Sequence, residues 1–161
     1  MRVDLVCAGA CQDDGLPTQI AGCGIIIRLI DDHDRVQSRE FGWALGGSTA
    51  NLADVQAVRL ALSSVLPQFR GYPTILYVNS NYVFNLLEKE NKHTFKATSK
   101  KNKSEIEEMR RWFGYYKSIS MVKYNQHADM DVEILTRTIQ LAQDALESQQ
   151  HHDSGTIGLD A

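Results

Sequence analysis

The stretch LYVNSNYVFNLL, residues 76–87, joins two kinds of pattern back to back. Leu76, Tyr77 and Val78 continue an apolar run that starts at Ile75, as in a strand covered on both faces at the centre of a sheet. Asn79-Ser80 breaks the run, and Tyr82 to Leu87 begins a helix. An Asn-Ser turn after a strand is ordinary by itself. Its meaning depends on the elements around it.

Upstream, Val3 to Cys7 reads as a strand, and Gly22 to Ile30, with the run Ile25, Ile26, Ile27, as a second. Asp13-Asp14-Gly15 and Pro17 supply the turn between them. RVQSREFGWAL, residues 35–45, continues as a third strand after the turn Asp31-Asp32-His33-Asp34, which predicts an antiparallel meander. Thr49-Ala50-Asn51 opens an amphipathic helix from about Leu52 to Leu66, and Pro67 stops it. Downstream of Leu87 the chain turns polar and lysine-rich, with Lys92, Lys96, Lys100, Lys101 and Lys103 close together. Such a cluster is either a solvated connector or a basic protrusion. A helix from Ser104 to Tyr116 follows, with Ser104 and Glu107 at capping-box spacing, then a strand Ile119 to Tyr124 and a helix from about Asp131 to Ser148. The expected division is one domain, 1–148, and a mobile tail, 149–161.

Composition narrows the class without naming a partner. The 161 residues are 43% hydrophobic and 23% charged, as in an ordinary globular domain, and the formal net charge is −3. That balance excludes a surface that is basic throughout, while leaving room for a local basic patch. Cys7, Cys11 and Cys23 are odd in number and lack zinc-ligand spacing, so reduced thiols are expected. With no basic leader and no apolar window near membrane-spanning length, the expected setting is intracellular, cytoplasmic and without a membrane.

The order of three antiparallel strands, helix, strand, helix, basic segment, helix, strand, helix resembles the ribonuclease H fold. VDLVCAGAC (3–11) is similar to that family's first strand, which runs into Asp-Gly-Ser, and AGCGIIIR (21–28) to its Gly-rich second strand. STANLADVQAVRLAL (48–62) resembles its first helix, with Asn51 at a substrate-contacting asparagine. LYVNSNYVFNLL resembles the strand that ends Thr-Asp-Ser and continues Tyr-Val, and HADMDVEILT (127–136) resembles the final motif. Lys92 to Ile106 falls where bacterial members carry a basic handle, with Asn102-Lys103 like the asparagine before the next helix. The resemblance implies an α/β fold with a five-stranded mixed sheet, three antiparallel strands and then two further strands, flanked by helices.

It also implies a chemistry that this sequence does not fully carry. The family holds two Mg2+ or Mn2+ ions with four carboxylates, which activate water and stabilise the leaving oxygen in phosphodiester hydrolysis. Transferred position by position, the four places hold Ala8, Asp54, Asn79 and Glu133. Ala8 offers no ligand and Asn79 only a neutral carbonyl; Asp54 and Glu133 keep carboxylates on a shortened and a lengthened stem and are the remaining, weak metal ligands. His127 is the candidate stand-in for the family's active-site histidine. These substitutions point to a domain that has lost hydrolysis and acts as a nucleic-acid-binding or scaffolding module, and the resemblance places contacts to RNA–DNA hybrid or structured RNA at Asn51, Lys100, Lys101, Asn102 and Lys103. Two alternatives remain: an active-site-substituted form of an enzyme that cuts the RNA strand of hybrids, and a protein-interaction module. Trp43 and Trp112 fit core-edge packing better than base stacking.

Overall fold

The computed structural model describes residues 1–88, 102–124 and 132–158. Three long strands form the meander: β1 (Arg2–Gln12), β2 (Ile20–Ile30) and β3 (Val36–Gly46), with β1 and β2 paired antiparallel from Arg2↔Ile30 to Gln12↔Ile20. Then come α1 (Ala50–Ser64), a 3-10 turn (Pro67–Phe69), β4 (Thr74–Val78) and α2 (Asn81–Leu87). The chain continues with α3 (Lys103–Gly114), β5 (Ile119–Lys123), α4 (Val132–Ser148) and β6 (His152–Gly158). β4 lies parallel to β1 and to β5, giving the order β5-β4-β1-β2-β3-β6.

The alternation along the strands sorts the core into two layers. Val3, Leu5 and Cys7 of β1, with Cys23, Ile25 and Ile27 of β2, face α1, α2 and α3. Val6, Ile26 and Tyr77 face α4 through Leu135 and Leu141. On the first side, α1 presents Ala53, Ala57 and Ala61, all fully buried, and these short side chains let the helix sit low on the sheet. On the second, Gly24 does the equivalent work: a Cβ there would lie 2.3 Å from the Thr138 carbonyl oxygen and 2.7 Å from the Ala142 nitrogen of α4. The fully buried Asp4 is charge-paired with Arg2 (3.0 Å) and Arg28 (3.7 Å), as a carboxylate in that position requires.

Two expectations need correction. The sheet has six strands, not five, because residues 152–158, assigned above to the tail, pair antiparallel with the outer edge of β3. Polar contacts anchor this strand: Arg39 forks onto Asp153 (3.1 and 2.6 Å), the Glu40 N–H donates to Ser154 Oγ (3.0 Å), and the His151 ring stacks on Trp43 at 3.9 Å. The third helix begins at Lys103, after Asn102 in the left-handed region (φ 63°). Ser104 therefore lies inside the helix, where its hydroxyl donates to Glu105 (3.1 Å), and no capping box forms. The three cysteines are free thiols. Among the described residues no helix is long and apolar enough to cross a membrane.

Candidate functional site

Parallel pairing sets Cys7 of β1 beside Val78 of β4, so Ala8 and Asn79 follow at the same end of the sheet. α1 brings Asp54 over that end. Thr49 fixes the start of the helix by accepting the Leu52 N–H (3.3 Å). The Gly9 N–H then donates to Asp54 Oδ1 at 3.2 Å. A Cβ at residue 9 would fall 2.5 Å from that oxygen, so the approach of strand to helix depends on glycine there.

Ser80 is the N-cap of α2, its Oγ accepting the Val83 N–H (3.2 Å), and its hydroxyl lies beside the Asp54 carboxylate, where it favours the ionised form. Burial pushes the Asp54 carboxyl from 3.8 up to about 6, against the opposing pull of Ser80 and the Gly9 N–H. Behind Ala8, the buried Tyr124 hydroxyl donates to the Cys7 carbonyl (2.8 Å), and burial raises that phenol strongly. The cleft of Ala8, Gly9, Asp54, Asn79 and Ser80 over Val58, Val78 and Val83 is too narrow to admit a water molecule.

The structure thus brings together Ala8, Asp54 and Asn79. Glu133 is exposed in the first turn of α4 and does not line this cleft. Asn51 is exposed in the first turn of α1, one turn before Asp54. Asn102 precedes α3, and Lys103 is exposed, 3.9 Å from Glu107. Lys100, Lys101 and His127 lie outside the described residues. Sequence reasoning passed over Ser80 and Tyr124. Ser80 was signalled by a hydroxyl residue just before a helix; nothing local marks Tyr124.

A pair of Mg2+ or Mn2+ ions needs several hard oxygen ligands converging in near-octahedral geometry. Among the described residues no three His, Cys, Asp or Glu side chains converge, and Asp54 brings the one carboxylate among the residues lining the cleft. The donor set of the described residues does not by itself fit a two-ion centre.

The fold is that of ribonuclease H: a mixed sheet led by an antiparallel meander, with helices on both faces and α1 packed on β1 and β2. One similar solved structure is LC9-RNase H1, a type 1 RNase H with the type 2 active-site motif (TM-score 0.76, 14% identity, 98% of this chain and 77% of that one). Another is the N-terminal RNase H domain of Rv2228c from Mycobacterium tuberculosis, solved as a fusion with maltose-binding protein (0.67, 17%, 91% and 94%). A third is the foamy viral protease-reverse transcriptase in complex with RNA/DNA hybrid (0.68, 15%, 91% of this chain); there the chain spans about a fifth of the larger protein's length. No protein-family model and no curated protein sequence matches the chain. At these identities the fold is what is shared.

Proposed function

We propose that this chain is a ribonuclease H-like domain that no longer hydrolyses phosphodiesters and works as a nucleic-acid-binding or scaffolding module. One observation carries the reading. Where strand ends and helix converge, the first position is the methyl of Ala8 and the third the amide of Asn79, while Asp54 is engaged by Gly9 and Ser80. Coulomb attraction falls with each carboxylate lost, so the remaining donors should hold one divalent ion weakly or none. Two saturable magnesium sites at submillimolar concentration, read from amide shifts around Ala8 and Asn79, contradict this.

Reversion tests the reading directly. Ala8→Asp with Asn79→Asp restores two anionic ligands to a scaffold that keeps Asp54 in the cleft and Glu133 outside it, in the first turn of α4. In a trapped enzyme, whose supporting groups are intact, the double change should restore metal-dependent cutting of an RNA–DNA hybrid. In a decayed site it should not, since ligands misplaced by about 1 Å cost on the order of a hundredfold in rate. Little or no cleavage is expected, with partial gain only after Asp54→Glu and Glu133→Asp are added. Robust cleavage by the double revertant, or metal-dependent cleavage by the chain as it stands, overturns the proposal in favour of an enzyme acting on hybrids.

Hybrid or structured-RNA binding is assigned to Asn51, Asn102, Lys103 and the lysine-rich segment with Lys100 and Lys101. Lys100→Glu with Lys101→Glu should weaken binding and lower the slope of log affinity against log salt by about one unit per lost phosphate contact. The acidic turn Asp13-Asp14 between β1 and β2 favours a second reading, a protein partner. Asp14 Oδ1 takes the Ala50 N–H at the start of α1 (2.9 Å), placing negative charge where a helix N-terminus would otherwise attract phosphate. Absence of nucleic-acid binding at low salt selects that reading.

A further inference from the structure

At the end of the sheet opposite Asp54, two connections run side by side. One leads from α1 through the 3-10 turn, Arg70 and Gly71 into β4; the other leads from α3 through Tyr115 and Lys117 into β5. The Lys117 N–H donates to the Arg70 carbonyl (3.2 Å), and the Thr74 N–H to the Ser118 carbonyl (2.8 Å). Between the connections lies a cavity of about 450 Å3 lined by Pro67, Gln68, Arg70, Gly71, Tyr115 and Lys117.

Its chemistry is one-sided. Two of the six lining residues are cations and none is an acid. Among the described residues, neither cation has a carboxylate at ion-pair distance. Arg70 is held in place: its guanidinium carbon lies 4.9 Å from the centre of the Trp112 ring, and the Tyr116 hydroxyl sits beside it. Its Nε is buried and makes no hydrogen bond. Trp112 meets Tyr115 edge-on at 5.5 Å, which sets the half-exposed Tyr115 ring as one wall. A fixed guanidinium, a lysine on a flexible stem, an amide and a phenol suit a phosphate oxygen set. The volume lies within the range of about 300–1,000 Å3 usual for small-molecule sites, well above the needs of a bare phosphate ion.

We propose that this pocket binds a small phosphate ester whose planar organic part lies against Tyr115, a ligand of the size of a nucleoside monophosphate. The site is separate from the Asp54 cleft and does not rest on the reading given to it.

Amide shifts of the full chain, followed at low salt during titration with adenosine monophosphate, adenosine and inorganic phosphate, test the assignment. Saturable shifts at Gly71, Tyr115 and Lys117 are expected with the monophosphate, weaker ones with phosphate, and none with adenosine. Lys117→Gln should weaken monophosphate binding by about fivefold or more, the loss of one charged contact. Tyr115→Ala should weaken the monophosphate and leave phosphate unchanged. Both side chains are exposed, so these variants keep the packing that a change at Arg70 would disturb. The proposal is overturned if nothing saturates by about 20 mM, well beyond the millimolar scale of weak binding. Equal affinity in Lys117→Gln, or response only to a 5′-phosphorylated oligonucleotide, overturns it too.

Discussion

Replacing Asp54 with asparagine should stabilise the protein at neutral pH. The folded carboxyl holds its proton up to about 6, whereas an unfolded one releases it near 3.8. Between those values the folded state binds more protons than the unfolded state, so this group's contribution to stability falls as pH rises through the window. Above it, the ionised Asp54 is a standing cost. Roughly two pH units at about 1.4 kcal/mol each set a ceiling near 3 kcal/mol, and because Asp54 is half-buried and reaches the surface outside the cleft, the expected gain is about 1–2 kcal/mol. Asparagine keeps an oxygen for the Gly9 N–H and turns an NH2 toward Ser80 Oγ, so little packing is lost. For a chain of this size the gain amounts to about 2–8 °C in melting temperature. The assay is urea unfolding of both proteins from pH 3.5 to 8 in EDTA. The difference should be near zero at the acid end, grow through the window and level off near neutrality. A variant less stable than the parent at pH 7, or a difference independent of pH, refutes the account of Asp54 as a desolvated, metal-free carboxylate.

Gly24→Ala should destabilise by several kcal/mol, since α4 backbone stands where the new methyl must go; a melting temperature within 2 °C of the parent, about 1 kcal/mol or less, contradicts the packing described. Tyr124→Phe should cost about 1–2 kcal/mol by leaving the Cys7 carbonyl without its 2.8 Å donor, with amide exchange in β1 and β4 reporting the loosening. Arg39 holds the Asp153 carboxyl down at about 2, so this pair supports folding above pH 4 and loses its contribution as pH falls toward 2. Because both side chains are about two-fifths exposed, Asp153→Asn should cost no more than about 0.5–1 kcal/mol at pH 7 and less in high salt; a loss that high salt leaves unchanged rules out an electrostatic origin.

Where burial dictates residue type, the sequence was readable. The meander, α1 and β4 follow from β-branched runs and helical spacing, and Ala8, Asp54 and Asn79 fall together because their strands and helix do. β6 shows no such pattern. His152, Asp153, Ser154 and Gly155 carry no apolar alternation, and ion pairing, a serine bond and the neighbouring His151–Trp43 stack, all between residues far apart in the chain, hold them. Tyr124 escaped notice for the same reason, since its partner is a backbone carbonyl 117 residues away. α3 starts one residue earlier than its pattern indicates because a left-handed Asn102 takes the place of a side-chain cap at Ser104.

The last strand bears on how copies of this protein behave when crowded. A straight, fully paired outer strand would be a template on which another molecule extends the sheet. Here the pairing slips between Arg39 and Phe41, and Gly155 takes a φ of 69°, so the outermost strand is kinked within its seven residues. A second chain laid along it meets hydrogen-bonding groups that leave the common plane partway along. Removing residues 152–158 would instead present β3, eleven residues long, as an unpaired rim, and self-association into extended sheets would be the expected failure.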